Sequence, residues 1–454
     1  MNIQISFHNP FRSIVSVLTS LSGILIFLIF SYANFDLSGE EKDELLQVKR
    51  IFSGEWKKKN FPFSFEFGSG EESCKNDFNL DGIEDVALTM RIQSQDSSNE
   101  SATDQNGFLA IALGSQNGKY VFDSMIPIIP CNSCGGVYGK PDVGLKCVRD
   151  KILVSSYGGS NWRWSNVETI RWRKSGWQWI GTDSYSYHTS FGDGLKHSFN
   201  RINLDSTRSY EGRTESEQEV VSAREEVRFK KIFSTQSQNR FDIRESWDFL
   251  PTLPFEIQDK NRLIEGHSSW KGPQDLSFRV KSGWNSDSLA VAVNVTDDQI
   301  RSCSSKSFDC DGVDIVLDPD SSILDFDTNQ GVRKKLGSKS ISISLRLQPN
   351  EETILLLNGK KVSGKNLEAR SKKTADGYTI QTKISWNLFG KEYESRLKDG
   401  FEFLANIAIV DFDDSPQSQK RMSTSEFKNQ DPYTLGELKL STEKYSLGPW
   451  KESP

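Results

Sequence analysis

Apolar and polar residues alternate with period two along most of the chain beyond residue 60. The runs Val86–Ile92, Phe108–Leu113, Lys151–Tyr157 and Glu168–Lys174 are short and rich in β-branched or aromatic residues, with Gly, Asn, Asp or Ser at their ends. Successive side chains of a strand point to opposite faces, so such runs predict strands with one face buried. The pattern returns beyond Phe255 in Leu276–Ser282, Leu289–Val295, Val313–Asp318, Ser340–Leu347, Tyr378–Ile384 and Phe403–Val410. Residues 40–58 predict one short helix leading into the first domain, and helical periodicity is almost absent elsewhere. The fold class is therefore all-β, in two domains, the C-terminal one an antiparallel β-sandwich. Thr207–Asn239 is charged and poor in apolar residues, and reads as a connecting strand pair or an exposed linker.

Expected boundaries are an N-terminal signal over 1–33, a β-rich domain over 40–235, a linker over 236–251, the sandwich over 252–442 and a tail over 443–454. With 454 residues, two cores are the natural expectation. A charged fraction of 26% and a mean hydropathy of −0.54 rule out a polytopic membrane protein. The net charge of −6 offers no basic field for nucleic acid. Only 4 His and 4 Met occur, which leaves little material for a His-rich metal or haem centre.

Met1–Arg12 carries one Arg, Ile14–Phe30 is uncharged and mostly apolar, and Ser31-Tyr32-Ala33 supplies small residues for a signal peptidase. This predicts export to the periplasm, the outer surface or the medium, with cleavage before Asn34. The rival reading is an uncleaved anchor over residues 14–30, which would be the only membrane contact. The cysteines agree with export, since each half holds an even number. Cys74, Cys131, Cys134 and Cys147 fall in the first half, with their pairing open, and Cys303 and Cys310 would staple one loop of the second. Cys131-x-x-Cys134 has no second such pair and no nearby His, which favours a structural disulfide over zinc or redox chemistry.

The loop Asp77–Asp85 reads D-x-N-x-D-G-x-x-D. Oxygen donors at alternate positions can converge on a hard cation, and the Gly permits the sharp turn. Leu88 stands where an EF-hand has its Glu, so this is not an EF-hand. The loop and following strand resemble the calcium loops of FG-GAP propeller repeats, although a single copy excludes a propeller. That resemblance implies a structural Ca²⁺ at Asp77, Asn79, Asp81, Ile83 and Asp85; the competing reading is an Asp/Asn-rich turn without an ion. The pairs Trp162/Trp164 and Trp177/Trp179, with Trp172, could form a ligand platform, but packing in a β-core is the better reading.

In the second half, Trp270, Arg279–Asp298, Cys310–Pro319, Gly377–Gly390, Gly400–Asp414 and Leu435–Leu440 follow one another in an order and spacing that resemble the family-9 carbohydrate-binding modules. The resemblance covers about residues 252 to 442 and implies a sandwich that binds a polysaccharide or oligosaccharide. It places a stacking aromatic at Phe308, acidic contacts at Asp311 and Asp314, an Arg at Arg346, and the second clamp position at Phe427 or Asn429. The two clamp Trp residues of sugar-binding members are absent at these places, and Asp314 stands where a Glu is usual. Trp270, Trp284 and Trp386 fall on positions that are core in the family. Asp411, Asp413 and Asp414 resemble an acidic turn, read as solvated or as a second cation site.

The leading reading is an exported, non-catalytic carbohydrate-binding protein. The alternatives are an envelope or surface scaffold that keeps the sandwich without sugar affinity, and an accessory domain of a polysaccharide-degrading hydrolase. No catalytic motif stands out.

Overall fold

The computed structural model describes residues 39–446, apart from 62, 69, 94–104, 175, 191–193, 215–216, 221–223, 305–308, 324–331, 351, 414–418 and 429. Helix α1 (Gly39–Lys58) presents Val48, Phe52 and Trp56 at four-residue intervals, one buried stripe. It covers a five-stranded antiparallel sheet of β1 (Ser64–Phe67), β2 (Ser73–Asn76), β3 (Asp85–Gln93), β4 (Gly107–Gly114) and β5 (Tyr120–Ile129). Both faces of β3 are buried. Val86, Leu88, Met90 and Ile92 pack under the helix, while Ala87 joins Leu109, Ile111 and Ile126 on the other face.

That second face packs on a long antiparallel sheet. Its strands are β6 (Asp142–Val148), β7 (Lys151–Gly159), β8 (Trp162–Arg173), β9 (Gly176–His188), β10 (Gly194–Asn200), β11 (Asp205–Glu211) and β14 (Arg224–Gln236), each paired with the next. A hairpin of β12 (Arg213–Thr214) and β13 (Glu217–Val220) sits between β11 and β14.

The C-terminal half is the expected sandwich. Sheet I contains β16 (Leu276–Trp284), β17 (Ser288–Asp297), β23 (Gly377–Ser385) and β22 (Leu367–Lys373) in that order. Sheet II runs from β21 (Lys360–Lys361) through β20 (Thr353–Leu357), β19 (Ile341–Leu347) and β18 (Gly312–Asp318) to β24 (Glu402–Asp411). The far edge of β24 is shared by β26 (Gly436–Ser441) and β25 (Lys420–Ser423), and β15 (Leu263–Glu265) adds to β25. Val280, Val291, Ile315, Ile343, Ile380 and Ile407 alternate inward to fill the space between the sheets. Trp284 and Trp386 are buried there, their indole N–H groups donating to Ser441 O and Asn285 O, and Trp270 packs against the same core.

The two halves are stitched together, and the charged segment Thr207–Asn239 contains the stitch. Strand β14 closes the long sheet, then pairs in parallel with β26 over Lys231–Thr235 and with β16 at Thr235 and Gln236. The stretch 236–251, expected as a linker, is not a free one: Phe241, Trp247 and Leu250 are buried against Ala290 and Ala292 on the outer face of sheet I. Small residues make room for them, since a Cβ on Gly283 would come within 2.4 Å of the Leu250 side chain. The three disulfides join Cys74 to Cys147, Cys131 to Cys134 and Cys303 to Cys310.

Candidate functional site

On the outer face of sheet II, Asp314 of β18 lies between two guanidinium groups. Its carboxylate is 2.8 Å from Arg346 Nη1 and 3.0 Å from Arg421 Nη2. Strand register explains the meeting. Arg346 of β19 is level with Gly312, which is level with Val410 of β24, which is level with Arg421 of β25. The two Arg side chains thus reach Asp314 from opposite sides of its strand. Gly312 makes this possible: a Cβ there would lie 2.0 Å from Leu345 O and 3.0 Å from the Arg346 side chain.

The floor beside the trio is small or polar. Ala408 is level with Asp314 and with Ser423. Asn406 Oδ1 accepts from Ser423 Oγ at 2.6 Å, Ser425 Oγ at 2.8 Å and Ser425 N at 3.2 Å, which fixes the turn leading to Phe427. Phe427 is partly buried against the cluster of Val316, Leu404 and Tyr433, so it borders this face instead of standing free on it. Arg421 Nε is buried without a hydrogen-bond partner among the described residues. Guanidinium groups, carboxylate and hydroxyls side by side can donate to and accept from a polyhydroxylated molecule.

The structure therefore brings Asp314 and Arg346 together, with Phe427 on the same face, and adds Arg421. Asp311 does not belong with them. Its residue is fully buried, its carboxylate accepting the backbone N–H groups of Arg301 and Phe412, so it cannot reach a surface ligand. Asp311 and Asp314 are three residues apart, an odd separation that places them on opposite faces. Phe308 and Asn429 lie outside the described residues, as does Asp414.

A groove of about 460 Å³ lies on the opposite outer face, that of sheet I, and sequence reasoning gave no hint of it. Asn294, Gln381, Arg370 and Lys372 line it, with Arg244 and Asp248 from the strap that follows β14.

In the first domain, the loop between β2 and β3 turns its oxygens onto its own backbone. Asp77 accepts from Asp81 N at 3.0 Å and Gly82 N at 2.8 Å, Asn79 from Asp81 N at 3.1 Å, and Asp81 from Ile83 N at 2.9 Å. Asp85 is buried, and its two oxygens accept from Phe78 N at 2.7 Å and Gly114 N at 2.9 Å. Burial raises its carboxyl pKa above the ordinary value, against the pull of those N–H groups. Gly82 takes a φ of 86°, the left-handed conformation the turn needs. Phe78 beneath the loop meets the buried Trp177 edge-on at 5.5 Å, and Trp177 meets Trp172 at 5.4 Å. These two Trp rings pack in the core between the first domain's sheets, with Trp179 partly buried against it.

A sandwich whose outer sheet face carries guanidinium groups and a carboxylate beside a partly buried aromatic has the build of a carbohydrate-binding-module-type domain. Residues 255–443 match the family model described as carbohydrate family 9 binding domain-like, and this segment is a domain of that kind. Similar solved structures include a family 9 carbohydrate-binding module from Caldicellulosiruptor kristjanssonii in complex with cellotriose. It is 16% identical, with 47% of this chain and 95% of that one covered and a TM-score of 0.33. The same organism's module in complex with glucose is 17% identical, with 48% and 100% covered and a TM-score of 0.33. No curated protein matches the sequence.

Proposed function

We propose that the protein is an exported carbohydrate-binding protein, and that it holds a saccharide on the outer face of sheet II. The Asp314–Arg346–Arg421 trio carries this reading, because it sets paired donors and an acceptor on a floor of small residues. The family match over residues 255–443 supports the same ligand class, and the complexes of the related modules with cellotriose and glucose suggest β-glucans as first candidates. In this reading Phe308 supplies the stacking aromatic. The export signal over residues 1–33 and a structural Ca²⁺ in the Asp77–Asp85 loop belong to the same proposal.

The test is a glycan array on the full chain, followed by calorimetric titration of the selected oligosaccharide. Arg421→Ala and Phe308→Ala should each weaken binding about tenfold, the loss of about 1.4 kcal/mol of contact, without shifting the melting temperature. Unchanged affinity in both variants would overturn the site. A chain that binds no glycan would favour the scaffold reading.

A further inference from the structure

The groove on the outer face of sheet I has the volume of a ligand pocket, about 460 Å³. Strand register lays out its floor in two rows. Lys281, Ala292, Gln381 and Arg370 are level across β16, β17, β23 and β22, and Asn294, Thr379 and Lys372 are level two residues further along β17. The strap that follows β14 makes the wall. It crosses the sheet, tied to β22 where Arg370 Nη1 donates to Arg244 O at 3.1 Å, and to β16 where Lys281 Nζ is 3.2 Å from Asp248. Between these ties Trp247 is buried against Ala290 and Ala292, its indole N–H donating to Asp242 O at 2.9 Å. Floor and wall are thus fixed in place before a ligand arrives. The wall precedes residue 255, outside the segment that matches the family model.

The lining runs against the charge of the chain. Arg244, Lys281, Arg370 and Lys372 face only the carboxylates of Glu245 and Asp248, in a protein whose net charge is −6. Asp248 is 84% exposed at its side chain, and the Ser246 hydroxyl, Lys281 and Lys372 hold its carboxyl below the ordinary value. Neutral groups stand between the cations. Thr379 Oγ1 donates to Asn294 Oδ1 at 3.0 Å, which leaves the Asn294 amide nitrogen as a donor, and Gln381 makes no side-chain hydrogen bond with the described residues. Trp247 is 2% exposed, so it offers no ring face on which a base could stack. The backbone groups of β17 and β23 are taken up by neighbouring strands on both sides, so an extended peptide cannot add here as a further strand.

We propose that this groove binds an acidic polysaccharide built from uronate sugars. Lys281, Arg370 and Lys372 take the carboxylates, and the amides of Asn294 and Gln381 take ring hydroxyls. Cations interleaved with neutral donors and acceptors match a chain that carries both kinds of group on every sugar. The site is separate from the Asp314 face, which lies on the other side of the sandwich, and it does not rest on the reading of that face.

The full chain is titrated by calorimetry with oligogalacturonate and oligoglucuronate at low and high salt, beside methyl-esterified oligogalacturonate and polyglutamate. Wild type should bind at least one of the two uronate oligomers, more weakly as salt rises, and should not bind the ester, which keeps the hydroxyls and loses the charge. Lys372→Gln should weaken binding severalfold. Asp248→Asn removes a competing carboxylate and should tighten it. Both side chains are exposed, so the two variants should melt with the wild type. Failure to bind either uronate oligomer would overturn the proposal, as would equal binding of the ester or wild-type affinity in either variant. Polyglutamate bound as tightly as the uronates would replace the glycan by an acidic protein segment. Binding lost in Arg421→Ala but kept in Lys372→Gln would move the acidic ligand to sheet II, and either result sinks this site as stated.

Discussion

Glu437 shows how a single residue joins the halves of this molecule. It projects from β26 toward the long sheet, where Arg208 Nη2 is 2.8 Å away and Lys231 Nζ is 2.9 Å away. Burial alone would raise its carboxyl pKa, but Lys231, His197 and Arg208 outweigh burial and hold it well below the usual carboxylate range. A depressed carboxyl contributes stability that is present above its unfolded pKa, about 4.3, and is lost as the pH falls below it. Glu437→Gln should therefore lower stability at pH 7 by about 3 kcal/mol, because Arg208 keeps its buried charge without its carboxylate. It should also flatten the loss of stability between pH 5 and acid. Denaturant melts of both proteins across that range check this, and parallel acid limbs would contradict it. The same scale shows what the sequence did and did not reveal. Asp314 and Arg346 were each named from the module resemblance, and their contact comes from strand register that the sequence does not display. Arg421 was not named, because β25 is four residues long and too short to display alternation. Asp311 was grouped with Asp314 because it neighbours Asp314 in sequence, whereas the structure buries it away from that face. Lys420 breaks the expected pattern, being a charge at an inward position, and only its three carboxylate partners explain it.

Among the elements, alternation located the sandwich strands well, because each buries one face in a continuous core. It also located β3, over Val86–Ile92, although both faces of that strand are covered, and it served less well where polar residues dominate, as in β11 and β14. The buried tryptophans of the sandwich test its core directly. Trp386 stacks with Phe403 at 6.2 Å and donates to Asn285 O at 2.8 Å. Its replacement by Ala should cost about 3–5 kcal/mol, read as a lowered denaturation midpoint, and a loss under 1 kcal/mol would show that the core rearranges around it. The Asp77–Asp85 loop makes the opposite demand on its element. If it holds the proposed Ca²⁺, chelation should lower the melting temperature of the wild type more than that of Asp81→Asn, since an ion bound only to the native state stabilises by mass action. Equal shifts in the two proteins would remove the ion from this loop.

For the whole molecule, the shared strand sets the unit of folding. The boundary expected near residue 252 cuts away β14 and the strap bearing Phe241, Trp247 and Leu250, both of which complete the sandwich. A chain of residues 252–446 would expose the edge of β26 and the apolar surface at Ala290 and Ala292, and should aggregate or melt well below the intact protein. A chain beginning at residue 224 should recover part of that stability. Calorimetry and light scattering on both lengths decide the matter, and equal melting temperatures would restore the boundary at 252. The segment reads as charged because exposed Glu225, Glu226 and Arg228 are interleaved along β14 with buried Val227, Phe229, Lys230 and Ile232.

The parallel pairing of β14 with β26 has a mechanical consequence. Tension between the N-terminal end of the chain and a ligand gripped by sheet II must cross from the first half to the second. It passes through β14, which runs beside β26 from Lys231 to Thr235. Neighbouring strands pulled along their common axis slide past one another only when all the bonds between them give way together, whereas a hairpin pulled open loses its bonds one at a time. The junction is thus built to resist shear.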